Sequence, residues 1–244
     1  MPQALSAIIW THLTAGFAAL LLMWIPILSP KGSRLHRRAG MAYVIAMVVV
    51  AITALLAAAI RVQIALAAGK PLAAARFSVF LAFIALLAFT SAFCGVRILR
   101  QKNRTGPHTN PFDIGVPAAL LVCSIAVSIW GFTLGDPLLS WFPLIGAGVA
   151  IGPLRTQLRP PADRMFWFYQ HISSMLASCI AAVTAATLVN YRTINDLLGF
   201  RVPPVVLWLG PSLIGGAIIA ASIIKYQRKF GPRPLASPAP PPLL

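Results

Sequence analysis

The stretch from Met41 to Ile60, MAYVIAMVVVAITALLAAAI, runs for twenty residues without one charged side chain. As an α-helix it would be about 30 Å long, the thickness of the hydrocarbon core of a bilayer. Six more segments of the same character lie on either side, and together they place membrane spans near 5–28, 41–60, 77–99, 114–134, 138–153, 166–188 and 204–224. The fifth is the shortest. It follows a Gly135-Asp136-Pro137 turn and carries Pro143, so a re-entrant loop stands beside a full crossing as its reading.

The composition agrees with these runs. Hydrophobic residues make up 59% of the 244 and charged residues 10%, where a soluble domain carries about 25% charged residues to cover its surface. Twenty Lys and Arg stand against four Asp and no Glu, for a formal charge of +16. In a soluble chain that excess would point to nucleic acid. Here the cations sit in short segments between apolar runs, which excludes that partner and makes charge a topology signal.

Fifteen of the twenty fall after spans 1, 3, 5 and 7, and five fall on the other side. Lysine and arginine collect in the cytoplasm, so the N-terminus is expected outside and the C-terminus inside. The fold class is therefore an all-α integral membrane protein, a bundle of seven transmembrane helices forming one domain over residues 1–230. Met1 to Leu28 lacks the basic start of a signal peptide, so span 1 is expected to be retained. Residues 231–244 hold six prolines in fourteen and read as a disordered tail.

Few side chains in these spans can do chemistry. Cys94, Cys123 and Cys179 lie in apolar runs with no C-x-x-C spacing, so they read as small hydrophobes rather than a disulfide or zinc set. Asp113, Asp136, Asp163 and Asp196 all fall in loops or at span ends, which counts against transport coupled to a buried carboxylate. No Ser/His/acid set or phosphate loop can be assembled. Two histidines lie within spans, His12 in the first and His171 in the sixth.

Each is open to two readings. His12 shares a helix face with Gly16 and Ala19, and His171 shares one with Ser174 and Ser178. Small residues permit close helix approach, so both histidines read first as polar groups satisfied at tight contacts. The alternative is ligation of a metal or haem. With His12 roughly 10 Å deep from outside and His171 roughly 8 Å deep from the cytoplasm, the two stand roughly 12 Å apart along the normal. That disfavours His12 and His171 as the two ligands of one haem, and the four-histidine pattern of two-haem membrane cytochromes is absent.

The strongest short motif is Leu35-His36-Arg37-Arg38-Ala39-Gly40, at the cytoplasmic start of span 2. It reads as a topology anchor, or as a cationic patch in which Arg37 and Arg38 meet an anionic lipid headgroup, a phosphate or a haem propionate. His36 joins His12 and His171 as a candidate cofactor ligand. His108, in a polar segment on the same side, reads as solvated. The aromatic run Phe166-Trp167-Phe168-Tyr169 reads as an interfacial belt. Pro117, Pro143 and Pro211 are placed to kink their helices and free carbonyls, and Gly131 with Gly135 forms a G-x-x-x-G packing signal.

The series His12-x3-Gly16-x2-Ala19-Leu20, then Leu35-His36-Arg37-x2-Gly40-x2-Tyr43, resembles the opening of an uncharacterised family of prokaryotic membrane proteins catalogued as a domain of unknown function. The segment from His171 and Met175 through Ala181-Ala182-Val183-Thr184-Ala185 to Val189-Asn190 is similar to that family's later stretch. The resemblance covers about residues 8–190, with LHR-x2-G its most specific element; the position after the glycine, often basic in the family, is Met41 here. It implies a multi-pass protein of a bacterial inner membrane and supplies no reaction. The expectation is a non-redox membrane role, in small-solute or lipid handling or as an assembly partner. The alternative is a haem-binding redox protein using the intramembrane histidines.

Overall fold

The computed structural model describes residues 3–231; the Pro-rich stretch read above as a disordered tail lies, but for Gly231, outside them. Every regular element among the described residues is helical, and seven helical segments are long and apolar enough to cross a membrane. In chain order the α-helices are α1 (Gln3–Leu22), α2 (Trp24–Leu28), α3 (Arg34–Ala67), α4 (Arg76–Arg97), α5 (Pro111–Leu134), α6 (Pro137–Leu158), α7 (Phe166–Val189), α8 (Tyr191–Leu198) and α9 (Pro204–Phe230). The segments long and apolar enough to span are α1 with α2, then α3, α4 with its flanking 3₁₀ turns, α5, α6, α7 and α9.

Helix α4 is the centre. It packs against α3, α5, α6 and α7, and buries Phe80, Phe83, Ile84 and Leu87 among others. Helices α1 and α9 lie at the edge, with Trp10, Phe17, Leu213 and Ile214 exposed. Such large apolar side chains on an outer face are what lipid contact requires. The segments holding fourteen of the described cations gather at one end of the bundle, the basic end; the turns 68–71 and 135–136 and helix α8 lie at the other.

Two starts differ from the sequence reading. Helix α3 begins at Arg34 rather than near residue 41, because Ser33 caps it: the Ser33 hydroxyl accepts the His36 backbone N–H at 3.1 Å. Hydropathy misses this turn because its three arginines mask it. The fifth span is a continuous helix of 22 residues, about 33 Å long and sufficient for a full crossing.

The α5–α6 hairpin gives its two glycines separate tasks. Gly135 takes a left-handed φ of 62° and ends α5, after which Asp136 caps α6 by accepting the N–H groups of Leu138 and Leu139. Gly131 is a contact: a Cβ there would fall 2.3 Å from the Leu139 backbone carbon. Pro211, which has no N–H, leaves the Leu207 carbonyl free within α9, and Thr187 of α7 donates its hydroxyl to it at 3.1 Å.

Candidate functional site

The same rule builds the site at the basic end. In a helical turn the carbonyl of residue 26 would accept the N–H of residue 30, and residue 30 is proline. Helix α2 ends at Leu28 and Ser29 is extended, so the Pro26 carbonyl is one of the last-turn acceptors left open. It accepts from the His36 imidazole, whose Nδ1 lies 3.1 Å away, and from Lys31 Nζ at 2.8 Å; Lys31 also donates to the Ile27 carbonyl at 2.6 Å. Burial against this turn lowers the Lys31 pKa from its ordinary value.

His171 reaches the bundle centre in a parallel way. Its Nδ1 lies 2.7 Å from the carbonyl of Gly95, in the last turn of α4, where helix geometry leaves carbonyls without intrahelical partners. Gly95 also sets the approach of α7. A Cβ at this position would lie 2.8 Å from Met175 Sδ and 3.3 Å from the Met175 backbone nitrogen.

A carbonyl only accepts, so each ring holds a proton on Nδ1, and the Nε2 lone pair is the one open to a ligand whenever the ring is uncharged. Neither Nε2 has a hydrogen-bond partner among the described residues. The two rings meet edge-on, with centroids 6.3 Å apart and planes at 64°. Two turns further along each helix, Tyr43 of α3 and Ser178 of α7 share a hydrogen bond of 2.9 Å, both side chains fully buried. Side chains rather than close backbone contact thus bridge α3 and α7. Lys31 and Lys102 are the cations near enough to act on His171.

His12 is not part of this pair. Its Nδ1 lies 3.0 Å from Thr53 Oγ1 and 3.2 Å from the Val50 carbonyl, both on α3. The Thr53 hydroxyl donates to Val49 at 2.7 Å, so its oxygen is available to accept from His12. Val50 lies fourteen residues beyond His36, about 21 Å along the helix. Of the three candidate ligands, the fold brings His36 and His171 together and leaves His12 at another depth. Depth along the spans compares only His12 with His171; the pairing of His36 with His171 is invisible to hydropathy, which starts the second span near residue 41, beyond His36.

Arg37 and Arg38 are exposed on the first turn of α3, with no ion pair among the described residues. His108, read as solvated, is instead held at the base of a buried cluster. Its Nε2 lies 2.8 Å from Asp113 Oδ2, and Arg97 grips the same carboxylate through two bonds of 2.6 and 3.0 Å. Gln101 adds a bond at 3.3 Å. Asp113, read as a span-end residue without a role, is only 3% exposed and ties α4 to α5. Asn110 places it by capping α5 ahead of Pro111. The Asn110-Pro111-x-Asp113 start was the available signal. Its partner Arg97 lay in a different helix and left no local pattern.

The aromatic run carries cations as well as facing the interface. Lys102 sits over the Trp167 ring at 4.6 Å and Arg104 over Phe166 at 4.9 Å. The three cysteines are free. Among the described residues no three His, Cys, Asp or Glu gather closely enough to hold a metal ion unaided. No protein-family model, curated protein or solved structure matches this chain.

Proposed function

We propose that the chain is a haem-binding redox protein of a bacterial inner membrane, with His36 and His171 as the residues that would hold the haem iron. The observation that carries this reading is their separation. A metal–imidazole bond is about 2.0–2.1 Å and the ring centre lies about 1.1 Å beyond the nitrogen, so two imidazoles across one metal have centroids roughly 6.3 Å apart. The measured distance is 6.3 Å. The Nδ1–H bonds to Pro26 and Gly95 are the outer contacts that fix tautomer and ring orientation in metal-ligating histidines.

The number of ligands supports haem over a bare ion. Zinc asks for three or four protein ligands, whereas haem brings its own equatorial nitrogens and asks the protein for two. Haem is also apolar with two acidic groups at one edge, and Lys31, whose charge acts on His171, is placed to neutralise one of them. The basic end is assigned to the cytoplasm by its charge. There Arg37 and Arg38 meet anionic headgroups, at about 1 kcal/mol each.

The test is the visible spectrum of protein purified from cells supplied with a haem precursor. Wild-type protein is expected to show the spectrum of six-coordinate haem with two imidazoles. His36→Ala and His171→Ala are each expected to abolish it at normal expression, and His12→Ala to retain it. A colourless, metal-free wild-type protein would overturn the proposal and return the chain to a non-redox role in solute or lipid handling.

A further inference from the structure

At the basic end, residues 99–104 with His108 line an open cleft of about 390 Å³ that carries Arg100, Gln101, Lys102, Arg104 and His108. We propose that this cleft is an oxyanion site that takes a phosphate group, either free or as a lipid headgroup.

The segment is fixed rather than draped. The His108 N–H donates to the Gln157 carbonyl at 2.8 Å. Arg104 donates through Nη2 to Thr156 at 2.5 Å and through Nη1 to Gln157 at 3.2 Å. These are carbonyls of the last turn of α6, where unpaired acceptors and the negative end of the helix dipole favour a cation. The aromatic faces of Phe166 and Trp167 hold the Arg104 and Lys102 head groups in place.

The charge of the cleft is not neutralised from within. Asp113 is the carboxylate at its base, and Arg97, His108 and Gln101 already occupy it. None of Arg100, Lys102 and Arg104 has an ion pair among the described residues. Two polar atoms then lack partners altogether: Arg104 Nε, a donor, and Gln101 Oε1, an acceptor, both buried. A buried donor and acceptor without partners are costly. An oxyanion bearing both acceptor oxygens and one hydroxyl carries the partner that each kind of atom needs. Hydrogen phosphate has that combination, and so does a phosphoglycerol headgroup. A carboxylate supplies only the acceptors.

The experiment is calorimetric titration of the full-length protein in detergent with inorganic phosphate and, separately, with a short-chain phosphatidylglycerol. Wild-type protein is expected to bind at least one of them saturably. Free phosphate alone would identify a solute site, and the lipid alone a headgroup site. The exposed pair Arg100→Gln/Lys102→Gln, which leaves the α6 contacts intact, is expected to weaken binding about tenfold or more. Arg104→Lys, which keeps the charge and loses the planar fork, is expected to weaken it similarly. Arg61→Gln/Lys70→Gln, exposed at the opposite end of the bundle, serves as a control with unchanged binding. Absence of saturable binding by either probe, unchanged binding in the Arg100/Lys102 variant, or an equal loss in the control would overturn the proposal. None of these readings depends on haem, so the two proposals fail separately.

Discussion

At the basic end, His36 and His171 each give Nδ1 to a carbonyl and stand ring to ring at 6.3 Å. Deeper along α3, His12 makes a similar bond to Val50 and Thr53 and faces no second imidazole. The difference lies in where the acceptors come from. Pro26 offers a carbonyl that Pro30 cannot use, and Gly95 offers one from a helix end, so both are open before a histidine arrives. Val50 is within a helix, and His12 shares its contact with a threonine hydroxyl. An imidazole set by pre-existing open carbonyls is oriented as a ligand is, while one shared between a helix carbonyl and a hydroxyl is a packing bond.

Orientation gives the largest expected effect, because it is all or none. A reporter active only in the cytoplasm is expected to give signal when fused after Lys225 and none near Lys70. The reverse pattern would put the paired histidines at the outer face and His12 at the inner. Signal at both positions would break the assignment of one end to each side.

Next comes the origin of the His36 acceptor. Pro30→Ala allows α2 to extend past Ser29 and place an N–H on the Pro26 carbonyl, which should release the His36 ring. Loss of such an outer contact typically costs 10–100-fold in metal affinity, so haem titration of this variant is expected to show a drop of about that size. Unchanged affinity would mean that the open carbonyl is incidental. His12→Ala, by contrast, is expected to cost about 1–2 kcal/mol of stability and leave the haem spectrum as it was. A lost spectrum would erase the distinction between the two ends.

How much of this was legible depends on range. The seven spans announce themselves because lipid demands long uncharged runs, as in Met41–Ile60. The His36–His171 pair did not, for two physical reasons. Ser33 starts α3 a full turn and more before hydropathy does, which moves His36 from a loop onto a helix. Gly95, on a third helix, brings α7 close enough for His171 to reach α4. Such contacts depend on three segments far apart in sequence. The Pro26-x3-Pro30 spacing was the local clue, since a proline four residues after a helical position always leaves a carbonyl unclaimed. Asp113 was missed in the same way: its cap was visible, but Arg97 was a residue of another span.

The smallest expected effect separates the two parts of the His12 contact. Thr53 gives its hydroxyl proton to Val49 and accepts from His12, so Thr53→Val removes both bonds while keeping the branched shape that packs between α1 and α3. The His12 Nδ1–H would still have the Val50 carbonyl at 3.2 Å. No buried donor is therefore left unsatisfied, and the loss is that of a modest intramembrane hydrogen bond, about 0.6 kcal/mol. Denaturant unfolding in detergent or a thermal shift measurement is expected to register that small change with no change in haem absorbance. A penalty as large as that of His12→Ala would mean that the threonine, rather than the helix carbonyl, holds the ring. A change in the spectrum would show that this contact reaches the paired histidines about 21 Å away along α3, and the two ends would then be one site.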